Sequence, residues 1–110
     1  MEKIDALSGF AALSQQTRLD VFRLLVRAGQ DGMQAGELCD ALDVRPNTMS
    51  ANLSVLLNAG LVRNSREGRY IRYFADMDGL RGILNYLLAD CCGGAPDLCR
   101  PLLNDLLPEA

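Results

Sequence analysis

Three cysteines lie close together near the C-terminus of this chain, at Cys91, Cys92 and Cys99. Thiolates are soft ligands that favour thiophilic ions. The chain has no histidine, so imidazole, a common ligand of zinc, nickel and copper, is absent. Three sulfurs without imidazole suit an ion that three thiolates satisfy, such as trivalent arsenic or antimony. The alternative is two unrelated free thiols and one buried cysteine that packs as a small hydrophobic residue.

The residues around these cysteines favour a shared site. Adjacent Cys91 and Cys92 resist pairing with each other, because so small a ring strains the S–S dihedral angle. Residues 93–96 include two glycines and a proline, which allow the chain to turn. Cys99, from the same chain or from a partner, can then supply a third sulfur. Because all three must bind as thiolates, binding would release protons and weaken at low pH.

Length and composition indicate one small helical domain. The 110 residues suffice for one modest core, and 49% hydrophobic residues with only 5% aromatic ones favour a core of Leu, Ala, Val and Ile. No apolar run reaches the ~18 residues needed to cross a membrane, and no secretion signal is evident. We therefore expect a cytoplasmic protein without a membrane partner, in which the cysteines stay reduced.

Basic charge is concentrated in one third of the chain, although the net charge is −3. Residues 44–74 contain five arginines and one glutamate, a local charge of +4. The flanking segments are acidic, with −3 over residues 1–43 and −4 over residues 75–110. Such a distribution is typical of a protein with one nucleic-acid-binding face.

The order of predicted elements is that of a winged helix-turn-helix, a mainly α fold with a small β-hairpin and the order α-α-α-α-β-β-α. Apolar residues at three- and four-residue spacing indicate the helices, and two apolar stretches joined by a glycine-containing turn indicate the hairpin. The predicted helices span 4–13, 15–28, 35–42, 46–58 and 77–90, with a further short helix over 97–107, and the strands span 61–65 and 70–74.

The helix over 46–58 is the one expected to enter the major groove of DNA, with its N-terminal residues at base edges. Asparagine can pair with adenine through two hydrogen bonds, and serine or threonine can donate to bases or phosphates. Arginines of the hairpin can reach phosphates or a narrow minor groove. The alternative is an ordinary solvated polar face. The candidate DNA-binding residues are Arg45, Asn47, Thr48, Ser50, Ala51, Asn52, Arg66, Arg69 and Arg72.

Five stretches together carry a resemblance to a known family, and they span residues 13–19, 36–39, 49–56, 59–62 and 66–73. They resemble the ArsR/SmtB family of metal-responsive winged-helix repressors over about residues 4–90. The resemblance implies a dimer built on the first and last helices. It also implies that the unliganded dimer occupies an operator and that the inducing ion releases it.

The chain departs from the family at several ligand positions. The helix-borne arsenic site of the family needs a cysteine cluster, whereas this chain has only Cys39 there, and one thiolate cannot hold the ion. The zinc, nickel and cobalt sites of the family use histidine, which this chain lacks. Members commonly carry histidine where Asn52 stands, so a different base preference is expected. The cysteines after the last predicted helix resemble the C-terminal arsenite sites of some members.

The hypothesis is a homodimeric repressor of operator double-stranded DNA, without enzymatic activity or organic cofactor. Residues 1–90 would form the DNA-binding and dimerisation domain, and residues 91–110 an inducer-binding tail. As(III), or Sb(III), would bind Cys91, Cys92 and Cys99 and release the dimer.

Other classes of function stay open at this point. The same repressor could sense a soft divalent ion such as cadmium, lead or mercury, with a fourth thiolate from Cys39 or from the partner. It could sense oxidation of its thiols, or it could be an interaction module that binds no DNA. An enzyme is disfavoured, because the chain shows no nucleophile–base pair and no glycine loop for phosphate.

Overall fold

The computed structural model describes residues 2–88 and 101, which form five α-helices and one small antiparallel sheet. The order confirms the predicted winged helix-turn-helix. None of the described helices is long and apolar enough to cross a membrane. The three cysteines near the C-terminus, and residues 97–107 apart from 101, lie outside the described residues. The elements are α1 (Lys3–Leu13), α2 (Gln16–Ala28), a 3₁₀ turn (Gly29–Asp31), β1 (Met33–Gln34), α3 (Ala35–Leu42), α4 (Pro46–Asn58), β2 (Val62–Glu67), β3 (Tyr70–Ala75) and α5 (Met77–Leu87).

Local hydrogen bonds determine where the helices begin. The Gln15 side chain accepts from the backbone N–H of Arg18 at 2.8 Å and caps α2. A capping box between Gln34 and Glu37 opens α3. Pro46 occupies the first turn of α4, where its missing N–H leaves no bond unmade. The Asp76 carboxylate accepts from the N–H of Gly79 at 3.1 Å and caps α5.

The core lies between α2, α3 and α4 and is closed by the start of β2 and by α5. Complete burial of a large aliphatic side chain contributes about 1.5–3 kcal/mol each, so this cluster holds the two helices of the helix-turn-helix in place. Their opposite faces are thereby left at the surface. The largest fully buried side chains are Val21, Leu25, Leu38, Met49, Leu53, Leu56 and Leu61.

The sheet has the order β1-β3-β2, one strand more than predicted. β1 pairs Met33 with Tyr73 and Gln34 with Arg72. This two-residue strand carries no periodic pattern of its own, because only its pairing with β3 defines it. Gly32, at φ 60°, begins the pairing, and an added Cβ there would lie 2.7 Å from the ring of Phe74.

Two glycine contacts hold α5 against the rest of the domain. A Cβ at Gly79 would overlap the backbone carbonyl of Gly60, which follows the end of α4. A Cβ at Gly9 of α1 would overlap the side chain of Ile83 of α5. The backbone N–H of Asp76 also donates to the Leu61 carbonyl oxygen at 2.8 Å. The N-terminal end of α5 is therefore in direct backbone contact with the segment that ends α4.

Replacing Gly79 by alanine tests this close contact. We expect Gly79→Ala to destabilise the domain by about 1–3 kcal/mol, because the added methyl group has no space beside Gly60. Gly36→Ala is the matched control, because this glycine is also in a first helical turn and an added Cβ meets no atom within 4 Å. The control should be neutral or stabilising by up to about 1 kcal/mol. Urea unfolding gives the free energy of unfolding of both variants. Equal values for the two would contradict the close contact of Gly79 with Gly60.

Candidate nucleic-acid interface

A tight turn joins α3 to α4 and determines the angle between them. Asp43 ends α3 in the left-handed conformation, at φ 54° and ψ 52°, which aspartate tolerates better than most residues. The backbone N–H of Val44 donates to the Cys39 carbonyl oxygen at 3.1 Å. Arg45 occupies the N-cap position of α4, and its carbonyl oxygen accepts from the N–H of Met49 at 2.9 Å. The turn therefore brings the first residues of α4 to the surface.

Five of the six candidate residues at the start of α4 are exposed, as predicted. They occupy the cap and the side of the helix that faces away from the core. Their polar groups are accessible to a base edge or a phosphate, and the side chain of Ala51 leaves space between them. These residues are Arg45, Asn47, Thr48, Ser50 and Ala51.

The placement of Asn52 on this exposed face is wrong. Asn52 is 7% exposed and lies on the buried side of α4 with Met49 and Leu53. Residues three and four apart share a helix face, so an asparagine three residues after Met49 is at a core position. Its Oδ1 accepts from Nη1 of Arg18 at 3.1 Å, and its Nδ2 donates to the Thr48 carbonyl oxygen at 3.1 Å. Both the oxygen and the nitrogen of this amide thus have partners inside the domain, and the side chain is not on the exposed face of α4.

The hairpin of β2 and β3 forms the wing, and residues 66–69 are its tip. Glu67 pairs with Tyr70, so the loop consists of Gly68 and Arg69. Gly68 has φ 62°, which matches the first central position of a type II′ turn. Arg66 and Arg69 are exposed, and neither forms an ion pair with another described residue. Both guanidinium groups are available to a polyanion.

Arg72, another predicted DNA contact, differs from the wing-tip arginines because its guanidinium group has partners within the domain. Nε donates to Oε1 of Glu67 at 2.7 Å, and Nη1 donates to the Asp31 carbonyl oxygen at 3.0 Å. The carboxylate oxygen Oε1 of Glu37, at the start of α3, lies 3.9 Å from Nη1 of Arg72. The hydrogen bond that Arg72 donates to the Glu67 carboxylate raises the pKa of Arg72 above its ordinary value. Arg72, with its side chain 26% exposed, therefore ties the wing to α3 and the preceding turn.

The remaining arginine of the basic segment, Arg63, is exposed on β2 and was not among the predicted site residues. Its guanidinium carbon lies 4.4 Å from the centre of the Phe74 ring, in a cation–π contact across the hairpin. Arg63 pairs with Phe74 in the strand register, which sequence alternation alone does not show. Among the arginines of residues 44–74, Arg45, Arg63, Arg66 and Arg69 form no ion pair with a described residue, and Arg63 alone of these four lies against an aromatic ring.

The described part of the chain offers no metal centre. Residues 2–88 and 101 contain no cluster of three His, Cys, Asp or Glu side chains that could hold an ion. Cys39 is half-buried in a cavity of about 490 Å³ between α3 and α4, where Asp40 and Asp43 also line the wall. The predicted thiolate ligands Cys91, Cys92 and Cys99 lie outside these residues.

Comparisons with known proteins agree with this architecture. Residues 13–64 match a family model described as a helix-turn-helix domain. The chain is 32% identical over 89 residues to a putative arsenical resistance operon repressor ArsR of Halobacterium salinarum, covering 72% of this chain and 68% of that protein.

Solved structures agree as well. An ArsR-like transcriptional regulator from Rhodococcus sp. RHA1 superimposes with a TM-score of 0.70 at 27% identity, covering 97% of this chain and 96% of that one. A second solved structure is the homodimeric winged helix-turn-helix DNA-binding domain of a possible ArsR-family transcriptional regulator from Mycobacterium bovis. It superimposes with a TM-score of 0.64 at 28% identity, covering 78% of this chain and 79% of that one. With the exposed α4 surface and the basic wing, these similarities show that the chain belongs to the ArsR family of winged helix-turn-helix transcriptional regulators.

Proposed function

We propose that this chain is a cytoplasmic, homodimeric repressor that binds operator DNA through α4 and the wing tip. The proposal includes release of the DNA when As(III) or Sb(III) binds Cys91, Cys92 and Cys99. The observation that carries the DNA-binding part is the two-sided character of α4. One face is packed in the core, and the other presents Asn47, Thr48 and Ser50 to solvent.

The charge around α4 supports the same role. Arg45 flanks the start of the helix, and Arg66 and Arg69 project from the wing tip without ion-pair partners among the described residues. An uncompensated guanidinium group can neutralise a phosphate and release a counterion. Phosphate contacts of this kind position a protein on the duplex, while contacts to base edges give specificity. The acidic remainder of the chain would disfavour other approaches to DNA.

The exposed apolar residues of α1 and α5 support a dimer. On α1, Ile4 is 71% exposed and Leu7 is 59% exposed, and on α5 Leu87 is 60% exposed. The two helices contact each other where Gly9 of α1 meets Ile83 of α5. Large apolar side chains exposed on two neighbouring helices are typical of a protein–protein interface. Two copies joined here would present two α4 helices to half-sites about one helical turn of DNA apart.

The position of the cysteines in the chain supports their role as the inducer site. Cys91 follows shortly after Leu87, the last residue of α5. The other end of α5 touches the segment after α4 through Gly79 and Gly60. Binding of one ion by three thiolates next to α5 could therefore shift the helix that supports both the dimer and α4. A coupling of about 1–3 kcal/mol would weaken DNA binding by roughly 5–150-fold.

Removing wing-tip charge tests the DNA contact. We expect Arg66→Ala and Arg69→Ala each to weaken binding to any duplex and to lower the salt-dependence slope of log K by about 1. The probe is a duplex that the wild-type protein selects from a randomised pool, and fluorescence anisotropy over a salt series gives the slope. Arg81→Ala, which removes an exposed arginine paired with Asp78 on α5, is the control and should leave the slope unchanged. Equal slopes for all variants would exclude phosphate contacts by the wing tip.

Cysteine variants test the inducer site on the same duplex. We expect arsenite to lower the affinity of the wild type by roughly 5–150-fold. Cys92→Ser should stay bound, because two thiolates no longer satisfy the ion. Cys39→Ser, the same change at a half-buried cysteine of α3, should be released like the wild type.

Other additions to this assay separate the alternatives. Normal release of Cys92→Ser by arsenite would show that Cys92 is not a ligand. Release by cadmium, lead or mercury but not by arsenite would favour a soft divalent inducer. Release by peroxide without bound metal would favour thiol oxidation.

A further inference from the structure

We propose that half-buried Arg18 and buried Asn52 form a positioning link that fixes the angle between α4 and α1. Operator recognition would then depend on two side chains that do not touch DNA. The inference rests on the proposed function in one respect, since it assumes that α4 is the DNA-reading helix. It concerns residues that the proposed contacts with DNA and with the inducer leave without a role.

Arg18 connects three helices by hydrogen bonds. It belongs to α2, and its Nε donates to the Ala12 carbonyl oxygen of α1 at 2.7 Å. Its Nη1 donates to Oδ1 of Asn52 in α4 at 3.1 Å. The last carbonyl groups of a helix have no partner within the helix, so Arg18 supplies one for the C-terminal end of α1. The positive charge is also favourable at that end of the helix dipole.

Asn52 extends the connection to the DNA-facing side of α4. Its Nδ2 donates to the carbonyl oxygen of Thr48, one turn earlier and next to the exposed polar residues. Asn52 is the one buried polar residue in the described part of the chain. All buried side-chain nitrogen and oxygen atoms described have a hydrogen-bond partner. The amide is thus held on both sides, by Arg18 and by Thr48.

Directional bonds add a constraint that the apolar neighbours cannot supply. Leu53 and Leu56 bury α4 but would tolerate a small rotation or slide against other aliphatic side chains. A charge-assisted hydrogen bond is shorter and stronger than a neutral one and demands alignment. No carboxylate of the described residues lies within 4 Å of the Arg18 guanidinium group. The group donates instead to oxygen atoms of α1 and α4. Moving α4 relative to α1 would break these bonds.

The link matters for DNA binding because α1 belongs to the proposed dimer surface. α1 carries the exposed residues Ile4 and Leu7 of the proposed dimer surface. The separation of two α4 helices in a dimer therefore depends on the path from α1 through Arg18 and Asn52. Half-sites about one helical turn apart tolerate little error in that separation. Loss of the link should reduce affinity for the operator but not the sequence-independent attraction to phosphate.

A double-mutant cycle tests the link with the full chain. The variants are Arg18→Met, Asn52→Leu and the double variant, which replace the pair by apolar side chains of similar size. We expect each single variant to lose about tenfold in affinity for the selected duplex, and the double variant to lose no more than either single one. Affinity for a scrambled duplex should stay within about twofold of the wild type. Circular dichroism verifies that each variant is folded at the temperature of measurement.

The controls distinguish a role of Arg18 and Asn52 in positioning α4 from a role in domain stability and from a direct contact with DNA. A merely structural pair would lower the melting temperature without changing the affinity ratio of selected to scrambled duplex. Asn47→Ala, on the exposed face, should combine additively with Asn52→Leu because it acts through its own contact. If Asn52→Leu does not fold, Arg18→Lys decides the question. Lysine offers a single ammonium group in place of the forked guanidinium, so we expect the same loss in the affinity ratio.

Two results would overturn the inference. Folded Arg18 and Asn52 variants, Arg18→Lys included, with a wild-type affinity ratio would show that the pair does not position α4. Losses that add in the double variant would show that the two residues act separately. If the wild type selects no duplex, the proposed function fails and the inference with it. If Arg66→Ala weakens binding while Asn52→Leu does not, only the inference fails.

Discussion

The packing of Met49, Leu53 and Leu56 against α2 and α3 determines which surface this domain can offer to a partner. These three residues are at most 1% exposed, and together they determine which side of α4 faces the core. A rotation large enough to expose them would cost about 1.5–3 kcal/mol for each fully buried side chain. The polar residues at the start of α4 therefore face solvent. The turn through Asp43 then sets the direction of the helix.

The other parts of the domain are arranged around this helix. Within the wing, Arg72 donates a hydrogen bond to Glu67, and it donates a second one to the Asp31 carbonyl oxygen outside the wing. These bonds hold the hairpin that carries the exposed arginines against the rest of the domain. At the end of α4, Gly60 contacts Gly79 and connects the helix to α5. The apolar surface of α1 and α5 and the polar surface of α4 are thus joined by short, rigid contacts. In the proposed repressor, these contacts would carry a change near the end of α5 to the DNA-binding surface.

Much of the fold could be predicted from the sequence, because its signals are local. The predicted bounds of α3 and α4 agree with the structure, since Pro46 and the apolar periodicity mark them. The features that the sequence does not predict are non-local contacts and a polar residue at a core position. Arg72 bonds to a carbonyl 41 residues away in the chain, which charge counting cannot show. The polar type of Asn52 predicts a surface position, whereas its spacing from Met49 and Leu56 places it in the core.

In the proposed complex, one face of α4 and the wing tip contact DNA while the opposite face of α4 stays packed in the core. NMR chemical-shift mapping of the full chain, titrated with the duplex that it selects, distinguishes the two faces. We expect large shifts at the amides of Asn47, Thr48, Ser50 and Ala51 and at the wing tip. The side-chain amide of Asn52 should remain protected from hydrogen exchange throughout. Shifts confined to other surfaces, or rapid exchange of the Asn52 amide on binding, would show that this face of α4 does not bind DNA in the way proposed.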